Sequence, residues 1–128
     1  NIISNAVHAM PEGREQLGKI TLRTAVEGKD QVRIEIADNG AGIPADVLPK
    51  IFDPFFTTKA IGKGTGMGLS ISYKIIQEHG GRILVDTEAG IGTVFTILLP
   101  IQSSERKQSA IVEEDEDYVD DKNLQFAA

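Results

Sequence analysis

The 128-residue chain contains no cysteine, which removes a disulfide framework and a thiolate metal site from consideration. It also fits a reducing compartment. No apolar run reaches the length of a membrane span, and no charged-then-apolar leader precedes the first residues. A cytoplasmic domain without direct membrane contact is expected. An excess of basic charge is lacking too. The formal charge is −6, but residues 103–128 alone hold eight acids and three bases, leaving eleven acids and ten bases in the first 102. So neutral a body argues against a nucleic-acid surface built on phosphate attraction. The length allows one domain with a real core and does not allow two.

What is present begins with NIISNAVHAM. Ile2, Ile3, Ala6, Val7 and Met10 recur at helical spacing, and Pro11-Glu12-Gly13 is expected to stop the helix. A helix starting uncapped at the first residue suggests a fragment with more protein upstream. Two alternating segments follow, KITLRTAVE with Ile20, Leu22 and Val26 on one face and VRIEIAD with Val32, Ile34 and Ile36. Gly28-Lys29-Asp30 between them reads as a hairpin turn. A short helix is expected at Ala45–Ile51, after Pro44, then a loop rich in Phe and Gly. MGLSISYKIIQEHGG reads as a helix with Met67, Ile71 and Ile75 on one stripe and Leu69, Ser72 and Ile76 beside it; Gly80-Gly81 supplies its stop. GRILVDTE and GTVFTILLP close the body as strands joined by a turn at Glu88–Gly92. Hairpin-paired strands with interspersed helices predict an α+β fold, a largely antiparallel sheet covered on one face by helices. Residues 102–128 read as an acidic, disordered tail or linker. Within it SAIVEEDEDYV faintly resembles the opening of a receiver domain, with too few residues after it to fold one.

Four glycines alternate at Gly62, Gly64, Gly66 and Gly68, just before a helix. Glycine lets a ligand approach the main chain closely, and the unpaired N–H groups of a helix's first turn attract phosphates. Lys59 and Lys63 add positive charge to the same loop. The P-loop pattern fails here, because it would need glycine at Thr57 and Ser or Thr at Gly64. The dinucleotide GxGxxG fails too, since the spacing is GxGxG. Asp38 ends an alternating strand at the turn Asn39-Gly40-Ala41-Gly42. Its carboxylate either accepts from an exocyclic amine or simply starts the turn. Asn1, Asn5 and His8 form a polar stripe on the opening helix, either facing solvent or offering a neutral oxygen to a hard cation such as Mg²⁺.

Together NIISNAVHAM, DNGAGIP, IFDPFFTTK and GKGTGMGLS resemble the N, G1, F and G2 boxes of the ATP-binding catalytic domain of two-component sensor histidine kinases. That domain belongs to the ATPase superfamily shared with DNA gyrase, the MutL proteins and the ninety-kilodalton heat-shock chaperone. HGGRILVDTEAGIGTVFTILLP is similar to the closing hairpin, so the resemblance covers about residues 1–100. It implies a two-layer α/β sandwich of Bergerat type over residues 1–101, with a mixed, mostly antiparallel sheet and with ATP and Mg²⁺ as cofactors. By position, Asp38 would bond the adenine amino group, partly through water that Thr93 helps hold, while Gly40 and Gly42 shape the wall beside the nucleotide. Asn5 would ligate Mg²⁺, and Asn1 would sit one turn earlier on the same face. Gly64, Gly66 and Gly68, with Thr65 and Leu69 among them, would bring main-chain N–H groups to the phosphates, and Lys59 would contact a phosphate or the lid. His8 stands where many relatives carry Lys or Arg touching a phosphate; a neutral imidazole donates one hydrogen bond there with less charge. Phe52, Phe55 and Phe56 would clamp the base of the lid onto the body.

The resemblance also implies an acceptor histidine on a dimeric helical domain upstream, and a response-regulator receiver as the later partner. Neither His8 nor His79 lies in the family's acceptor motif. The chain is therefore expected to bind Mg-ATP without completing autophosphorylation unaided. Two other classes stay open: an ATPase that drives conformational change, and a non-catalytic nucleotide-sensing module.

Overall fold

The computed structural model describes residues 1–10, 17–59 and 64–101. The expected helix stop at Pro11–Gly13, the loop residues Gly62 and Lys63 and the tail from Gln102 lie outside the described residues. The element order is α1 (Ile2–His8), β1 (Ile20–Glu27), β2 (Gln31–Asp38), a single 3-10 turn (Leu48–Lys50), α2 (Gly68–Glu78), β3 (Arg82–Glu88) and β4 (Gly92–Pro100). The four strands form one sheet in the order β1-β2-β4-β3, every pairing antiparallel. This is the expected α+β arrangement, helices on one face of an antiparallel sheet. None of the helices among the described residues is long and apolar enough to cross a membrane.

Strand alternation sorts the side chains. On the helix-covered face the register lines up Thr24, Ile34, Ile97 and Ile83 in one row and Leu22, Ile36, Phe95 and Val85 in the next. Ile36, Phe95, Ile97 and Ile83 are buried there with Ile2 of α1 and Ile51, and Leu69 and Ile76 of α2 pack against them. Burying such side chains contributes roughly 1.5–3 kcal/mol each. The open face is polar, with Arg33 between Glu27 and Glu35 at 3.3 and 3.2 Å. Leu98 is its buried exception, 5% exposed between Arg33 and Arg82 in the register.

Several local expectations change. The helix expected at Ala45–Ile51 is only a 3-10 turn at Leu48–Lys50. Pro49 lies inside that segment, donates no amide hydrogen and collides with the carbonyl four residues back, so an α-helix cannot propagate. In α2 the inward side chains are Leu69 and Ile76, while Ile71 and Ile75 are 43% and 47% exposed. The apolar positions of β1, an edge strand, are also open: Leu22 is 58% and Val26 68% exposed. The phenylalanines divide. Phe52 packs against the core and Tyr73, with ring centroids 5.1 Å apart, whereas the Phe55 ring is 77% exposed. Phe55 is the third residue of the turn Asp53–Phe56, closed by Phe56 N–H on the Asp53 carbonyl, with Pro54 second and φ of +67° at Phe55. That is the pattern of a turn that usually carries glycine at its third position, so the ring is forced outward.

Candidate functional site

The third row of the covered sheet face breaks the apolar pattern. The register aligns Ile20, Asp38, Thr93 and Thr87, so β2, β4 and β3 all present a polar side chain at the same end of the sheet. Above that end a cleft of about 1070 Å³ opens between α1, the turn after β2 and the start of α2. Such a volume suits a nucleotide-sized ligand.

Asp38 is partly buried at the end of β2, and one carboxylate oxygen accepts the Gly40 amide at 2.8 Å. The side chain therefore starts the turn. The other oxygen has no hydrogen bond to a described residue, and Asp38 lines the cleft. Thr93 is 4% exposed and its Oγ1 lies 2.9 Å from Thr87 Oγ1. The turn between Asp38 and Ile43 is gripped from two sides. Ala41 donates to the Ala9 carbonyl at 2.9 Å and its own carbonyl accepts Gly90 N–H at 2.6 Å. Gly42 has φ +69°, and a Cβ there would overlap the Glu88 carbonyl and come 2.9 Å from Ala89 Cα. Gly40 is buried, and a Cβ on it would meet the Ala9 carbonyl at 2.7 Å. Gly40 thus closes the turn onto α1 and is not among the residues that line the cleft. Every other residue expected at the site lines this cleft.

At the opposite end the cleft is positive and rich in main-chain donors. Lys59 Nζ lies 3.4 Å from Asn5 Oδ1 and has no carboxylate partner among the described residues. Asn5 thus aims a neutral oxygen at a cation. Among the described residues no group of three or more His, Cys, Asp or Glu could hold a metal. A metal there would need ligand phosphates as partners, which is how Mg²⁺ is commonly held. Gly64 abuts Thr57 and Lys59. Gly66, at φ +66°, accepts the Phe55 amide at 2.9 Å and sits so close to that backbone that a Cβ has no room. The loop before α2 is thereby pinned to the Phe-rich turn. Thr65 accepts the Met67 amide at 3.3 Å, and Gly68 begins α2.

Three of the expected residues have partners within the fold. Asn1 donates through Nδ2 to the Gly68 carbonyl at 3.0 Å and to Ser72 Oγ at 3.3 Å, so it ties α1 to α2 and keeps only its oxygen for the cleft. Leu69 lines the cleft and packs against the core. His8 Nδ1 lies 2.6 Å from the Ser4 carbonyl one turn back. A carbonyl only accepts, so that nitrogen carries the hydrogen and the neutral ring shows Nε2 as an acceptor. The single donor expected from a neutral His8 is already used within its own helix.

Thr87 was not anticipated from the sequence. Its signal was available: with the turn placed at Glu88–Gly92, Thr87 must pair with Thr93, and the two close and open the apolar alternations Ile83-Val85 and Phe95-Ile97.

A family model described as histidine kinase-, DNA gyrase B-, and HSP90-like ATPase matches residues 1–103. The sensor kinase CckA of Brucella abortus is 49% identical over 121 residues, covering 84% of this chain and 12% of that protein. Sporulation kinase E of Bacillus subtilis is 44% identical over 110 residues, 85% of this chain and 14% of that protein. The chain therefore spans less than one sixth of the length of these two relatives. Among solved structures, the catalytic domain of histidine kinase ThkA superposes with a TM-score of 0.62 at 40% identity, covering 77% of this chain and 61% of that one. A mycobacterial sensor histidine kinase, MprB, gives 0.64 at 29% identity, with 77% and 64% covered.

Proposed function

We propose, from the premise that this chain belongs to the histidine kinase-, DNA gyrase B- and HSP90-like ATPases and is of the sensor-kinase catalytic type, that it binds Mg-ATP and donates the γ-phosphate to a histidine on a separate helical dimerisation domain. A response-regulator receiver is then the next phosphate acceptor. The observation that carries this reading is the polarity of one cleft: carboxylate and hydroxyl at its floor, cation, amide oxygen and glycine backbone at its mouth.

The chemistry follows from that layout. Phosphoryl transfer depends on positioning and on neutralising the charge of the departing group, and little covalent work falls to the protein. Asp38 takes a hydrogen bond from the adenine amino group and fixes the base at the floor. Gly42, held against the Glu88–Ala89 turn, lets the wall approach the purine. The main-chain N–H groups of Gly64, Gly66 and Gly68, leading into α2, orient the phosphates. Asn5 Oδ1 would hold Mg²⁺ jointly with the phosphates, and the ion would offset their charge. Lys59, now beside that oxygen, would supply positive charge to a phosphate.

Neither histidine lies in the family's acceptor motif; each sits on a helix with Nδ1 against a carbonyl of its own turn, His8 on Ser4 and His79 on Ile75 at 2.7 Å. The test is incubation with γ-labelled ATP, alone and with a dimeric helical domain bearing the acceptor histidine. Acid-labile label on the added domain and none on this chain is expected. Label on this chain alone, or a fast steady-state hydrolysis with no transfer, would contradict it.

A further inference from the structure

The row Asp38–Thr93–Thr87 ends in a hydroxyl that the reading above leaves without a task. Thr87 is half-buried on β3, opposite Thr93, and its Oγ1 has three neighbours. It receives the Ile43 amide at 2.9 Å, gives its hydrogen to the Gly92 carbonyl at 3.1 Å and faces Thr93 Oγ1 at 2.9 Å. One assignment places a hydrogen in all three contacts. A hydroxyl has one hydrogen and two lone pairs. The Gly92 carbonyl can only accept, so the Thr87 hydrogen goes there. The Ile43 amide can only donate, so it occupies one lone pair. The remaining lone pair faces Thr93, which is the donor in this assignment. Thr93 has no other hydrogen, so what it shows the cleft is a lone pair. Asp38, its register neighbour, is likewise an acceptor, with one oxygen already on the Gly40 amide.

We propose that Thr87 is a positioning residue that fixes the Thr93 hydroxyl, making the cleft floor acceptor-only and so selective for a base bearing an exocyclic amino group over one bearing a carbonyl oxygen there. This rests on the nucleotide reading of the cleft. An oxygen at that position would meet lone pairs from Asp38 and Thr93 with no hydrogen between them. A site built to pair one polarity rejects the other more strongly than any apolar pocket can, because a buried group is left unpaired. Thr87 also anchors, through Ile43, the far end of the turn that carries Asp38. One hydroxyl therefore sets both the place and the polarity of the floor.

Titrations of the full chain with Mg-ATP and with the magnesium complex of inosine triphosphate, whose base carries oxygen in place of the amino group, test this directly. The wild-type chain is expected to favour ATP. Thr87→Val removes the partner of the Thr93 hydroxyl, whose hydrogen can then turn to the base oxygen, and the preference should shrink about tenfold. Thr87→Ser keeps the hydroxyl and should keep the wild-type ratio. A merely structural role would lower both affinities together and leave the ratio unchanged, with the melting temperature falling in step. Should Thr87→Val fail to fold, Thr93→Val serves, because it leaves the Ile43–Thr87–Gly92 bonds in place and removes the lone pair itself; the ratio should shrink there too. An unchanged ratio in Thr87→Val, or in Thr93→Val where the first does not fold, overturns the inference while leaving the nucleotide reading intact. Absence of Mg-ATP binding by the wild-type chain would overturn both.

Discussion

Replacing Gly42 by alanine isolates the contact that holds the turn after Asp38 against the β3–β4 hairpin. At φ +69° an L-residue costs about 1–2 kcal/mol in backbone strain alone. The added Cβ would also overlap the Glu88 carbonyl, and both lie on backbone that cannot rotate away. Relief requires the hairpin turn to move off, stretching Gly90 N–H to the Ala41 carbonyl and Ile43 N–H to Thr87 Oγ1. At about 1 kcal/mol for each bond, the total reaches about 3–4 kcal/mol, a large share of the stability of a small domain. Gly28→Ala is the control, with φ +65° and nothing within 4 Å of its Cβ, so it carries the strain term only. Urea denaturation followed by circular dichroism should place Gly42→Ala about 2 kcal/mol below Gly28→Ala, with the slope unchanged. Equal destabilisation of the two would refute the packing argument, since the steric term would then be nil.

Other outcomes are as definite. Asn5→Ala should weaken ATP binding roughly tenfold with magnesium present and leave affinity in a chelator unchanged, by calorimetry. His8→Lys places a charge at the cleft where the neutral ring offers only Nε2; ATP affinity should rise severalfold and become more salt-dependent, measured at two ionic strengths. Leu98→Ala should cost about 2–4 kcal/mol in chemical denaturation despite lying on the open sheet face, because that side chain is only 5% exposed.

The parts legible in the sequence were those governed by period and punctuation. Alternation located all four strands, Gly28-Lys29-Asp30 and Glu88–Gly92 located both turns, and Gly80-Gly81 ended α2 after Glu78. The four motifs converge on one cleft in the folded chain, which their separation in sequence could not show. What remained hidden was decided by three-dimensional context. Pro49 overrode a helical pattern that Pro44 seemed to start. Ile71 and Ile75 share a helical stripe, yet the sheet meets the neighbouring stripe of Leu69 and Ile76, and periodicity alone does not say which faces inward. The left-handed backbone at Phe55 depends on a turn closed by Asp53 and Phe56. The tie from Asn1 to Gly68 and Ser72, and the hydroxyl pair Thr87–Thr93, join elements whose relative placement no local signal specifies.

The most direct measurement is calorimetric titration of Mg-ATP into the wild-type chain and into Asp38→Asn. The amide keeps the size of the carboxylate but removes its charge and one acceptor, so affinity should fall by ten- to a hundredfold, as for a lost charge-assisted bond of about 1.5–3 kcal/mol. Equal affinity in the two proteins, or heat from neither, would contradict adenine recognition at the end of β2.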